Sequence, residues 1–102
     1  MMKLLIILCI EEDTEDVAGL LRKAGVQMFS RTEITGFNTE YPAILAGEWF
    51  ASGKESVQSA ALFTFSVEEK IEAALQLVNA HNESKKPVFP LKAFVLPVET
   101  FS

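Results

Sequence analysis

The sequence predicts an α+β fold in which a four-stranded antiparallel sheet packs against two helices. Two segments carry apolar residues at helical spacing, and four others have the continuous or alternating apolar pattern of strands. The two kinds of segment follow one another as strand, helix, strand, strand, helix, strand. The chain has 102 residues, so we expect a single domain spanning 1–102 with one packed core.

The first strand and the first helix are predicted from residues 1–25. MMKLLIILCI is a continuous apolar run closed by acidic residues, which is typical of a central strand buried on both faces. The run is too short to span a bilayer and lacks a cleavage site of small residues, so we expect a cytoplasmic protein. Asp13 or Thr14 is expected to cap the helix, and Gly25 to end it. Its apolar stripe is Val17, Leu20, Leu21 and Ala24.

The second and third strands are predicted from patterns with a period near two. Between 27 and 37, one face carries Met28, Ser30, Thr32 and Ile34, and the other carries Phe29, Arg31 and Glu33. In the third strand, from about Val57, Ala61, Phe63 and Phe65 alternate with Ala60, Leu62 and Thr64. We expect sheet edges and one face rich in Phe29, Phe63 or Phe65 to be covered by symmetric association.

The second helix and the last strand complete the predicted order. Ser66-Val-Glu-Glu69 is a capping-box sequence, so we expect a helix to start there and to end near His81-Asn82. The last strand is predicted from Leu91 to Val98, with Pro97 at its end or at a sheet edge. The order β-α-β-β-α-β with both helices on one face is that of a ferredoxin-like sandwich.

Composition argues against several classes of function. Nine Lys plus Arg against fourteen Asp plus Glu give a net charge of −5, which disfavours nucleic-acid binding. Cys9 is the single cysteine and is expected to be a buried core residue. His81 is the single histidine and is expected at the surface, so no metal site is predicted within one chain. Enzymatic motifs are missing, and we expect a protein that is not an enzyme.

Three short motifs resemble the N-terminal third of PII signal-transduction proteins. They are Asp16-Val17, Gly25-Val26 and Thr32-Glu-Ile-Thr-Gly-Phe37, in the same order and at similar spacing. The resemblance covers roughly residues 3–38, and the remainder is similar in architecture alone. It implies a homotrimeric, nitrogen-regulatory-type signalling protein that holds a small-molecule effector in its subunit clefts. The connection at about 38–56 would then be the family's long loop, which docks on a transporter, an enzyme or a regulator.

The resemblance also implies particular site residues. The expected effector site comprises Ser30, Gly36, Phe37, Asn38, Lys85 and Lys86, and the expected partner-binding residues of the loop are Tyr41, Trp49 and Phe50. The family's glycine-rich phosphate loop is replaced here by NESKKPVFP, so the cofactor is left open among ATP, ADP, AMP and none. A structural explanation stands beside this one: Gly36 permits a turn, Phe37 packs on the core, and the lysines keep a loop soluble.

Two other functions remain open at this point. The fold is also that of the CutA-like relatives of PII, which are linked to divalent-metal tolerance, and a ligand-free structural oligomer is the third hypothesis.

Within the long connection, four large apolar side chains either pack in the oligomer or offer a contact patch to a partner. These side chains are Ile44, Leu45, Trp49 and Phe50.

Overall fold

The structure, a computed structural model, describes residues 1–37, 56–87 and 89–102. The predicted order of elements is confirmed. The strands are β1 (Met2–Ile10), β2 (Ser30–Phe37), β3 (Ser56–Val67) and β4 (Lys92–Pro97). The helices are α1 (Thr14–Lys23), which follows a 3-10 turn at Glu11–Asp13, and α2 (Glu68–Lys85).

The four strands form one antiparallel sheet in the order β2-β3-β1-β4. The first strand is central, as its continuous apolar run predicts, and Ile7 lies opposite Leu62 of β3 and Ala93 of β4. β3 is the second interior strand, and β2 and β4 form the edges. Pro97 is the last residue of the edge strand β4, as predicted. The ferredoxin-like antiparallel arrangement is therefore confirmed.

The core lies between one face of the sheet and the two helices. Leu5, Ile7 and Cys9 of β1 are completely buried, together with Val17 of α1, and Ile71 of α2 is 2% exposed. Burial raises the pKa of the Cys9 thiol to about 11, with a further contribution from the nearby Asp13 carboxylate. The thiol is therefore neutral at physiological pH, as expected of a structural core cysteine.

The predicted start of the second helix is wrong. β3 continues through Val67, which pairs with Met2, so the backbone of Ser66 belongs to the sheet. The N-cap residue of α2 is Val67 and no side chain caps the helix. The capping box does not form, because strand pairing with β1 already fixes the backbone of Ser66 and Val67 in the sheet.

The helix ends also differ in part from the prediction. α2 runs past His81-Asn82 to Lys85, and Lys86 follows in the left-handed region with φ 43°. At the start of α1, neither Asp13 nor Thr14 makes a side-chain cap; the Thr14 hydroxyl instead donates to the Glu11 carbonyl at 3.0 Å. Gly25 confirms its predicted role, since it has φ +91° directly after the helix C-cap, where a side chain would be strained.

Candidate functional site

A groove of about 640 Å³ lies beside the beginning of β2, at one edge of the sheet. β2 starts at Ser30, opposite Phe63, whereas β3 continues to Val67. The shorter edge strand leaves a step in the sheet, and the end of α1 borders it. The lining residues are Arg22, Gln27, Met28, Phe29, Ser30, Phe63, Thr64 and Phe65.

The start of β2 at Ser30, three residues later than predicted, has a physical cause. The buried Thr64 hydroxyl donates to the Met28 carbonyl at 2.7 Å, and the Val26 amide donates to the Leu21 carbonyl at 2.9 Å. The connection from α1 is thus fixed by a side chain and by the helix end before the ladder begins. The Met28 side chain is left 83% exposed beside the groove.

The chemistry of the groove combines apolar walls with a few polar groups. Met28, Phe63 and Phe65 supply thioether and aromatic surface, while Ser30 and Gln27 offer a hydroxyl and an amide. Arg22 is the one charged residue among the lining residues. Such a groove is suited to a ligand with a flat, largely apolar body and a negatively charged group.

The predicted effector residues are divided between two ends of the protomer. Ser30 lies in the groove, but Gly36 is six residues further along β2, which is about 20 Å for an extended strand. Gly36 pairs with Val57, beyond the end of β1, and this is the end at which α2 finishes with Lys85. One protomer therefore does not bring Ser30 together with Gly36 and Phe37.

The two predicted lysines have different surroundings. Lys85 Nζ lies 3.8 Å from the Asp16 carboxylate, and both side chains are more than half exposed, so this ion pair adds little stability. Lys86 is exposed and forms no salt bridge with the residues that the structure describes. Lys85 and Lys86 lie at the end of α2, whereas Gly36 and Phe37 belong to the edge strand β2. Of the two, Lys86 is the one available to an anion.

Four of the predicted residues lie outside the described residues. They are Asn38 of the effector site and Tyr41, Trp49 and Phe50 of the loop. The apolar residues Ile44 and Leu45 lie outside as well. For Gly36 and Phe37 the structure gives the strand pairing alone.

Asn82 holds the segment that follows α2. Its side-chain amide donates to the Leu91 carbonyl at 3.0 Å, and its side-chain oxygen accepts from the Leu91 amide at 2.8 Å. Leu91 is 3% exposed and belongs to the core. The pair of bonds closes the loop that carries Lys86 and fixes where β4 begins. Sequence patterns do not reveal this contact, because the two residues are paired only through the fold.

A group of ionisable side chains lies where the start of α1 meets the end of α2. Burial raises the pKa of Asp13, and the Asp16 and Glu12 carboxylates add to the rise, while His81 and Lys85 oppose it. His81 differs from the expected surface residue: both ring nitrogens are buried, and neither has a hydrogen-bond partner among the described residues.

Asp13→Asn is expected to stabilise the protein at pH 7, by less than about 1 kcal/mol. Because the folded-state pKa of Asp13 is raised, the wild type gains stability as the pH falls through that pKa and loses it as the pH rises. The advantage of the variant should therefore shrink on acidification. Urea unfolding at several pH values measures this, with the exposed Glu15→Gln as the control. An advantage that does not depend on pH would contradict the assignment.

The sheet face opposite the helices is apolar and, within the described residues, is not covered by any helix. Ile6 of β1 lies between Phe63 and Phe94, and the side chains of Phe65 and Leu96 continue the surface. Phe65, Val67, Phe94 and Leu96 are between 42% and 55% exposed. The predicted aromatic face is thus present with Phe63 and Phe65. Phe29 is not part of it, because it packs against the core on the helix side.

Among the described residues, no group of three or more His, Cys, Asp or Glu side chains could hold a metal ion. No helix in that part of the chain is long and apolar enough to span a membrane.

These features define a small α+β fold with an edge groove and, among the described residues, one apolar sheet face that no helix covers. Solved structures of PII-like proteins share the fold. A nitrogen regulatory PII-like protein, CPII, from Thiomonas intermedia K12, bound to ADP, AMP and bicarbonate, is 16% identical with a TM-score of 0.69, over 99% of this chain and 93% of that one. A PII-like signalling protein from Thermus thermophilus is 20% identical with a TM-score of 0.58, over 92% of this chain and 83% of that one.

A third structure, a DUF3240 family protein from Shewanella baltica OS155, is 15% identical with a TM-score of 0.62, over 99% of this chain and 93% of that one. Comparison of the sequence with family models gave no match. A search of curated proteins likewise gave none. The predicted resemblance is therefore confirmed at the level of the fold: this chain has the fold of PII-like signalling proteins.

Proposed function

We propose that the protein is a divergent PII-like regulator that binds an adenine nucleotide and acts by binding rather than by catalysis. The observation that carries this proposal is the groove at the start of β2, which contains Ser30 and joins aromatic walls to a single cation. The same fold holds ADP and AMP in the Thiomonas intermedia protein, which makes an adenine nucleotide the first ligand to test.

The complete effector site is proposed to form between copies of the chain. In one protomer the groove with Ser30 is about 20 Å along β2 from Gly36 and Phe37, and Lys86 follows α2 at the same end of the sheet as Gly36. A neighbouring copy that places its Gly36–Asn38 segment and Lys86 beside this groove would unite the two halves. A cleft of this kind makes ligand binding sensitive to the arrangement of the subunits.

The apolar sheet face supports association of the chain into a homotrimer. Phe65, Phe94 and Leu96 are each more than 40% exposed on one continuous face, which is an unusually apolar surface for a monomer in water. Closed symmetric association buries such a face in every copy equally. Three copies are what the resemblance to PII proteins implies.

The regulated partner is proposed to bind the connection between β2 and β3 through Tyr41, Trp49 and Phe50. The connection leaves β2 directly after Gly36 and Phe37. An effector bound beside Gly36 would therefore be close to the point where the connection begins. The partner class implied by the resemblance is a transporter or an enzyme. Trp49 is the only tryptophan, so its fluorescence reports directly on this segment.

AMP and ADP are expected to raise the thermal stability of the unaltered protein. A ligand at a hundred times its dissociation constant adds about 2.7 kcal/mol to the free energy of unfolding. Ser30→Phe should abolish the effect by filling the groove. Thr32→Phe, two residues further on the same face of β2 but outside the groove lining, is the matched control and should retain it. Differential scanning fluorimetry followed by calorimetry measures both.

Two outcomes would contradict the proposal. One is that neither AMP nor ADP shifts the unfolding temperature of the unaltered protein. The other is that Ser30→Phe and Thr32→Phe bind equally well. A change of Trp49 emission on adding AMP would further support the connection as the segment that reports the ligand.

A further inference from the structure

We propose that Arg22 is the specificity-determining residue of the groove and that it selects a ligand bearing a phosphate. This inference rests on the proposed function, and it names the group on the ligand that this side of the site recognises. Arg22 is in the last turn of α1 and lines the groove together with Ser30 and Gln27.

The Arg22 guanidinium is not paired with a carboxylate among the described residues. Within the described residues, Lys3 pairs with Glu68 at 3.3 Å, Arg31 with Glu33 at 4.0 Å and Lys85 with Asp16 at 3.8 Å. In the same part of the chain, Arg22 forms no salt bridge. A guanidinium with five donors and no carboxylate partner is free to meet an anion.

The charge of the groove is opposite in sign to that of the chain. The protein has a net charge of −5, yet no acidic side chain is among the groove lining and Arg22 is its only charged member. An anion on the ligand therefore meets one cation and no opposing carboxylate in the lining. The Ser30 hydroxyl and the Gln27 amide, in the same lining, offer further hydrogen bonds to the ligand.

The size and the apolar walls of the groove suit a ligand that joins a planar base to a phosphate. The groove of about 640 Å³ is in the range of small-molecule pockets, and its other walls are Met28, Phe63 and Phe65. A ligand with a planar base can pack on this apolar surface while its phosphate contacts Arg22. A guanidinium matches two phosphate oxygens in a bidentate way that an ammonium group cannot.

A structural role for Arg22 makes a different prediction. A cation in the last turn stabilises a helix through the helix dipole, and Lys23 has the same opportunity one residue later in that turn. Lys23 is exposed and is not part of the groove lining. Lys23→Gln therefore changes the net charge and the helix end as Arg22→Gln does, but leaves the groove intact.

The experiment compares AMP with adenosine by calorimetry on the full chain. Arg22→Gln should weaken AMP at least about tenfold, the size of a lost charge-assisted contact, and leave adenosine within about twofold. Arg22→Lys should lose less than Arg22→Gln, and Lys23→Gln should match the wild type. Circular dichroism and the unfolding temperature establish that each variant is folded.

Three sets of results would contradict the inference. If the unaltered protein binds neither AMP nor adenosine, the proposed function fails and the inference fails with it. If the unaltered protein binds AMP and Arg22→Gln binds it equally well, the inference alone fails. If Arg22→Gln weakens AMP and adenosine by the same factor, or if Lys23→Gln weakens AMP as much, Arg22 supports the helix end or the groove wall and does not select phosphate.

Discussion

Phe94→Glu should convert the protein from an oligomer into a monomer. Phe94 is 42% exposed on the apolar sheet face and lies opposite Ile6 of the central strand. In a homotrimer closed over this face, the new carboxylate would be buried without a partner in every copy. Burying an unpaired charge costs several kcal/mol, which corresponds to a loss of association of at least about a thousandfold.

Light scattering after size exclusion measures this result, since the protomer has a mass of 11.3 kDa. The matched control is Gln58→Glu, which adds the same charge to an exposed residue of β3. Gln58 is an odd number of residues from Phe63 and Phe65 of the same strand, so its side chain lies on the side of the sheet opposite the apolar face. This variant should therefore keep the oligomer. A wild-type protein that is monomeric at micromolar concentration would contradict the proposed association outright. Phe94 is not part of the groove lining, so weaker ligand binding by a folded monomer would reflect the loss of the neighbouring copy and not a change in the groove itself.

Asn82→Leu should destabilise the fold by about 2–4 kcal/mol, although it replaces a polar residue by an apolar one of similar size. The Leu91 amide and carbonyl each lose their hydrogen-bond partner on Asn82, and Leu91 is 3% exposed. Each buried backbone group left without a partner costs about 1–3 kcal/mol. Chemical unfolding followed by circular dichroism measures the loss.

Two further variants separate this contact from a general effect of the helix end. Asn82→Asp keeps an acceptor for the Leu91 amide but cannot donate to the Leu91 carbonyl while ionised, so the loss should be intermediate at neutral pH. It should shrink in acid, where the protonated carboxyl can donate. Ser84→Ala removes only an exposed hydrogen bond of 3.5 Å to the His81 carbonyl and should cost less than about 0.5 kcal/mol. Equal losses in Asn82→Leu and Ser84→Ala would show that the contact to Leu91 is not needed.

The parts of the fold that follow from local patterns could be predicted from the sequence. The apolar run of β1, the stripe of α1 and the glycine that ends it are properties of neighbouring residues, and all are present in the structure. The capping box at Ser66 is also a local pattern, and it failed because Val67 is paired with Met2, at the far end of the sequence. The local preference for a helix start is weaker than long-range strand pairing where both involve the same backbone groups.

The candidate site was less predictable for a related reason. Ser30 was identified through a resemblance, but Arg22, Gln27 and Thr64 reach the same groove from separate elements, and no spacing in the sequence connects them. The alternation of the sequence runs through 27–37 without a break, and only the structure shows that Met28 is exposed and that its carbonyl accepts from the Thr64 hydroxyl. Sites assembled at the step between strands of unequal length depend on register, which the apolar pattern of one strand does not give.

The completely buried thiol of Cys9 gives the central strand a natural probe of its own opening. Because burial raises its pKa to about 11, and because only a thiolate reacts quickly with alkylating reagents, the native protein presents almost no reactive sulfur. Modification has to wait until β1 separates from the helices that cover it. The rate of modification then reports how often the core opens, without any introduced label.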